Sequence, residues 1–211
     1  MYKRYSKIEL NNTAIETNWN HTTNKIILIG TSTGGPRALQ TVLSGLPKKI
    51  AAPIVIVQHM PSGFTKSLAN RLNSLSNLTV KEAEDGEVLQ NGTAYIAPGG
   101  CHLKIKASGK KVFVQLDYLT TSYIHCPSVD LMFASASNLK DYGKIVVVMT
   151  GMGSDGSNGL IELKKTGQVK AIAESEETCT VYGMPRAAIA TELIDDIVNV
   201  EQIAKTILKY L

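Results

Sequence analysis

Apolar residues in this chain fall into short runs that alternate with stretches of helical spacing. Ile26–Ile29, Ile54–Gln58, Ile145–Met149 and Val169–Ala173 are runs rich in β-branched residues and bounded by polar or turn residues. Such runs predict strands buried on both faces. Thr79–Ala83 and Thr93–Ala97 add two more strands, and Ile197-Val198 a last short one. Between them the apolar positions recur at helical intervals. After Pro36 they are Ala38, Leu39, Val42, Leu43 and Leu46, and after Gly63 they are Phe64, Leu68, Leu72 and Leu75. Further helices are expected from Ser128 or Asp130 to about Leu139, and over Asn158–Thr166, Pro185–Thr191 and Val200–Leu211. The middle differs. His102–Lys106 and Lys111–Leu116 alternate around a Ser-Gly turn, which predicts a β-hairpin. The pattern as a whole predicts an α/β fold: a doubly wound, mainly parallel sheet with helices on both faces and an antiparallel hairpin at one edge.

Met1–Asn24 lacks this pattern. It is polar, rich in Asn and Thr, and reads as a leader or linker, with the folded domain starting near Lys25 and Trp19 docking on its surface. The 211 residues allow one large domain or two small ones. The net charge of +4 is mild, and the pairs Lys48-Lys49, Lys110-Lys111 and Lys164-Lys165 read as solvated faces. Nucleic acid is therefore not an expected partner. Cys101, Cys126 and Cys179 are odd in number and form no C-x-x-C, which fits a reducing cytoplasm. No apolar run is long enough to insert in a membrane, and no apolar core follows Lys3-Arg4 as a signal peptide would need.

The chemistry concentrates where the first strand meets the first helix. Gly30-Thr31-Ser32-Thr33-Gly34 fits G-x-S-x-G, the nucleophile-elbow pattern, with Pro36 suited to the start of the helix. The free N–H groups at the helix start, Thr33 among them, lie where an oxyanion would form. A Gly-rich turn of this kind also binds phosphates. Here Ser32 stands where a dinucleotide fingerprint needs its second Gly, and no Gly-Lys-Ser/Thr is present for a P-loop. A small-anion site or a plain turn remain the competing readings.

In open parallel sheets, sites lie beyond the carboxyl ends of the strands. His59 directly follows a strand, as Ser32 does, and Asp155 lies in the loop after Ile145–Met149. His102, at the hairpin start, and His125, in irregular chain, are weaker candidates, and His21 falls in the leader. Asp130 reads as a helix cap. A serine hydroxyl needs a base, histidine serves near neutral pH, and a carboxylate on the other ring nitrogen fixes the tautomer. The order Ser, His, Asp differs from that of α/β-hydrolases. Gly151 and Gly153 would allow the Met152 N–H to face the site. Cys101-His102 and His125-Cys126 suggest zinc, but no standard ligand spacing is present, so no metal is expected.

Six blocks occur in order: Gly30–Pro36, Gln58–Pro61 with Gly63-Phe64, Ala97–Gly100, Pro127–Asp130, Thr150–Gly153 with Asp155-Gly156, and Gly183–Arg186. From about Lys25 onward the chain resembles the catalytic domain of the bacterial chemotaxis protein-glutamate methylesterases, CheB. The resemblance implies a cytoplasmic, three-layer α/β/α serine hydrolase without a cofactor. Ser32, His59 and Asp155 match the family's nucleophile, base and orienting acid. The substrates it implies are glutamyl methyl esters on chemoreceptor helices, and some members also deamidate receptor glutamines. Phe64 and Tyr182 are the residues expected to position such a helix. A non-catalytic receptor-binding or anion-binding module on the same fold is the alternative. The family usually carries a phosphoacceptor receiver domain, which Met1–Asn24 cannot hold. Cys126 stands before Pro127 where a basic residue is expected, and Thr31 and Ser62 also depart from the usual pattern.

Overall fold

The computed structural model describes residues 19, 24–109, 111–118 and 125–211. Most of the expected leader, His21 included, and residues 119–124 of the irregular stretch lie outside them.

Seven parallel strands form the central sheet: β1 (Asn24–Thr31), β2 (Ile54–Gln58), β3 (Thr79–Glu82), β4 (Thr93–Ile96), β7 (Tyr142–Val148), β8 (Val169–Glu174) and β9 (Asp196–Val198). Their order is β3-β4-β2-β1-β7-β8-β9. The continuous apolar runs are the central strands, because only a strand covered on both faces gains from burying successive side chains. Alternate residues of β1 go to opposite cores. Ile27 and Ile29 pack with α1 (Gly35–Ser44), α2 (Thr65–Leu75) and α6 (Val200–Lys209). Ile26 and Leu28 pack with α3 (Val129–Ser135), α4 (Ser157–Lys164) and α5 (Met184–Ile189). The three layers follow from that period of two.

The helix expected to reach Leu139 is α at Val129–Ser135 and then tightens into a 3₁₀ turn at Ala136–Asn138. Pro36 is the second helical residue, since α1 begins at Gly35. The hairpin of β5 (His102–Ser108) and β6 (Lys111–Asp117) is antiparallel as expected. It forms its own two-stranded sheet instead of extending the main one. Leu103, Ile105, Val112 and Val114 point from it into the α3 core, and Ile105 N–H donates to Ser135 Oγ at 2.9 Å. Trp19 packs edge-on to Tyr210 at the end of α6, with Lys25 Nζ 3.8 Å from its ring centre. Among the described residues no helix is long and apolar enough to cross a membrane.

Candidate active site

The chain runs from β1 to β2, on to the edge strand β3 and back to β4 between them, then crosses to place β7 on the other side of β1. α1 leaves β1 toward one face of the sheet and α4 leaves β7 toward the other. The carboxyl ends of β1 and β7 therefore form a topological switch point, the place where sites form in open parallel sheets. Ser32 and Asp155 lie on its two sides, and His59 follows β2 at the same level, since Thr31 pairs with Gln58.

The serine turn is held from below. Ser32 N–H donates to Thr150 O at 3.0 Å, and Gly35 N–H to Ser32 O at 2.9 Å. Gly34 adopts φ 87°, the left-handed region where a side chain would be strained. The buried Gln58 amide donates to both Ser32 O and His59 O, each at 2.9 Å, tying the two turns together beneath the surface. Thr150 is the second tie. Its hydroxyl donates to Thr33 O at 2.9 Å, its carbonyl also accepts from Thr31 Oγ1, and its N–H donates to the fully buried Glu174 carboxylate at 2.8 Å. Burial pushes the Glu174 carboxyl up against these hydrogen bonds. The Gly151 turn presses on the serine: a Cβ added there would meet Met184 Sδ at 2.4 Å and Ser32 Cβ at 2.7 Å. Among the described residues, neither the Thr33 nor the Met152 N–H has an acceptor.

His59 Nε2 and Asp155 Oδ2 are 2.7 Å apart, with both side chains about nine-tenths buried. Asp155 Oδ2 also accepts from Val129 N–H at 2.7 Å, and Oδ1 accepts from Asp130 N–H at 2.9 Å and Ser128 Oγ at 3.1 Å. Burial works against the Asp155 charge. The His59 hydrogen bond and the N–H groups of Asp130 and Val129 outweigh it and hold the carboxyl below the ordinary carboxylate value. An ionised Asp155 accepts only, so Nε2 carries the proton and Nδ1 keeps its lone pair. Nδ1 is buried and has no hydrogen-bond partner. Ser32 Oγ is thus not bonded to it here, and rotation about the serine Cα–Cβ bond is the motion that would join them.

The remaining candidates divide clearly. His125 stacks on His59, ring centres 4.3 Å apart, although its irregular segment gave no hint of this. A shallow cavity of about 300 Å³, lined by His59, Met60, Pro61, His125, Cys126 and Pro127, opens beside the pair. His102 is buried at the start of β5 and lies outside the His59–Asp155 pair. Ser128 caps α3, whereas Asp130 sits on α3 and caps α4. Phe64 and Met152 are strongly exposed, and Tyr182 is half-buried beside Gly151. The cysteines are free thiols, and among the described residues no group of three or more His, Cys, Asp or Glu is placed to hold a metal.

A model of the CheB methylesterase family matches residues 27–207. The chain is 57% identical over 184 residues to a protein-glutamate methylesterase/protein-glutamine glutaminase of Geobacillus kaustophilus, covering 87% of this chain and 53% of that protein. It is 56% identical over 183 residues to the protein of the same name from Bacillus subtilis, covering 87% and 51%. It therefore spans about half the length of these curated relatives. The crystal structure of the Thermotoga maritima CheB methylesterase catalytic domain superposes with a TM-score of 0.85 at 46% identity, covering 90% of this chain and all of that one. With a family model spanning most of its length and relatives at more than half identity, the chain belongs to the CheB methylesterase family.

Proposed function

We propose that residues 25–211 form a serine hydrolase that frees glutamate and methanol from glutamyl methyl esters on the cytoplasmic helices of chemoreceptors, and that the same site deamidates receptor glutamines. The single observation that carries this is the His59–Asp155 hydrogen bond set level with Ser32 across adjacent strands. In this reading Ser32 Oγ attacks the ester carbonyl while His59 Nδ1 takes its proton. The tetrahedral oxyanion is met by the Thr33 and Met152 N–H groups, which have no acceptor among the described residues. Methanol leaves with the proton from His59. Water then gives a proton to the same nitrogen as its oxygen attacks the acyl carbon, and Ser32 Oγ leaves with that proton, so glutamate is freed and the enzyme is regenerated without a cofactor. The exposed Phe64 and Met152 and the half-buried Tyr182 offer apolar contacts to a helix laid along this edge of the sheet. A cytoplasmic location belongs to this reading, because its substrate lies there.

The test is methanol release from a methylated receptor fragment. Wild-type protein should turn it over, and Ser32→Ala should lose about 10⁵–10⁶ in kcat by the precedent of serine hydrolases. Binding of the fragment without methanol release would leave a receptor-binding module instead.

A further inference from the structure

We propose that Asp130 is a positioning residue for the reaction: it holds the loop that carries Asp155, and so fixes the angle at which His59 is presented to Ser32. This rests on the proposed role of Asp155 as orienting acid.

The helices α3 and α4 exchange caps. Every α-helix begins with N–H groups that have no acceptor within the helix. At α3 these are Val129 and Asp130, and both donate to the carboxylate of Asp155, which sits immediately before α4. At α4 the N–H groups of Gly156 and Gly159 donate to Asp130 Oδ1 at 2.8 and 2.7 Å, and Asn158 Nδ2 approaches Oδ2 at 3.3 Å. Each carboxylate thus belongs to one helix start and caps the other. The contact is close because Gly159 has no side chain: a Cβ there would meet Asp130 O at 2.5 Å. Gly156, at φ 102°, makes the tight turn that brings Asp155 back over α3.

The geometry makes Asp130 specific to Asp155. The loop from Thr150 to Gly156 is rich in glycine, and its backbone has little intrinsic preference for one shape. Asp130 pins its far end through Gly156, the residue next to Asp155. In the other direction, the Asp130 N–H is one of the donors on Asp155 Oδ1. The two carboxylates also divide their electrostatics. Asp155 is held ionised by His59 and helix N–H groups, while burial pushes the Asp130 carboxyl up, with the Asp155 charge adding to that. The capping of α4 therefore needs an acceptor oxygen at residue 130 more than it needs a full charge. Asparagine can supply that oxygen, and alanine cannot.

The experiment compares Asp130→Asn and Asp130→Ala in the full chain by two readouts. The first is the downfield ¹H resonance of the His59 Nε2 proton in ¹⁵N-histidine-labelled protein, which reports its hydrogen bond to Asp155. Asp130→Asn should keep it, and Asp130→Ala should lose or shift it while the rest of the amide spectrum stays folded. The second is kcat and KM for methanol release in wild-type and Asp155→Ala backgrounds. A small misplacement of a reacting group costs on the order of 10²-fold, so Asp130→Ala should lose about 30- to 100-fold in kcat with KM within threefold. In the Asp155→Ala background the same change should cost under threefold, because there is no carboxylate left to position. An equal loss in both backgrounds would overturn the proposal. So would an unchanged His59 resonance in folded Asp130→Ala, or its loss in Asp130→Asn. Absence of methanol release by wild type would overturn the esterase reading alone, since the resonance reports positioning without turnover.

Discussion

Replacing Asp155 by asparagine separates its proposed orienting role from its part in the fold. In the wild-type protein both carboxylate oxygens are saturated: Oδ2 by His59 Nε2 and Val129 N–H, Oδ1 by Asp130 N–H and Ser128 Oγ. Asparagine has one oxygen and one NH₂ group, so one of these two pairs must face a donor. If the NH₂ faces His59, the imidazole turns over its tautomer, Nε2 becomes the acceptor and Nδ1 carries the proton. The lone pair that would take the Ser32 proton is then gone, which costs about 10⁴ in kcat in a serine protease with the equivalent change. If the NH₂ faces the other pair, Asp130 N–H at the start of α3 is left without an acceptor, at about 1–3 kcal/mol for each buried donor stranded. The net loss in stability should be about 2–3 kcal/mol, or roughly 4–12 °C in Tm for a chain of this size. Methanol-release kinetics and thermal melts measure the two effects separately. The pH dependence has a fixed sign. A carboxyl whose folded value lies below its unfolded one stabilises the protein above the unfolded value, about pH 4, and loses that contribution as pH falls. The Tm gap between wild type and Asp155→Asn should therefore be widest near neutral pH and narrow on acidification. A folded Asp155→Asn with kcat within tenfold of wild type and an unchanged Tm would refute the reasoning, because either orientation of the amide must cost the His59 tautomer or the acceptor of the Asp130 N–H.

Phe64→Ala and Tyr182→Ala should each raise KM for the receptor fragment severalfold with little change in kcat, and steady-state kinetics that show the reverse would contradict a binding role. Lys144→Met should raise Tm at pH 7. Lys144 is almost fully buried on β7, and burial brings its ammonium down to about 8. At about 1.4 kcal/mol per pH unit its charging opposes folding by up to about 3 kcal/mol at neutral pH. Stability of the wild type should rise as pH climbs from about 8 toward the unfolded value, where the group is neutral in both states, so the advantage of Lys144→Met should shrink by pH 10. Melts at the two pH values check both statements, and an equal gain at each would show that packing, not charge, is responsible.

The alternation of elements was legible in the sequence because it depends on local physics. A β-branched run such as Ile145–Val148 has no low-energy use except a strand covered on both faces, and the helical spacing after Pro36 dictates which face of α1 is buried. That Ser32, His59 and Asp155 meet at one edge of the sheet was legible for a related reason: a parallel sheet delivers every strand's exit loop to one edge, so residues just past strand ends are neighbours before any contact is known. What tertiary structure decided was the wiring between those loops. Asp130 reads locally as the cap of its own helix, yet its carboxylate crosses to α4, because α3 and α4 meet at Gly159 with their starts side by side. His125 sits in chain with no periodicity, and only the folded path lays its ring on His59. Gln58 ends a strand in the sequence pattern, but its amide reaches two carbonyls on different turns once β1 and β2 are in register. The hairpin alternates as an edge strand would, and its partner proved to be the α3 core, since alternation specifies one buried face and not what covers it. Periodicity is set by neighbours a few residues apart, whereas hydrogen-bond partners and ring contacts are set by segments brought together from 25 to 120 residues away.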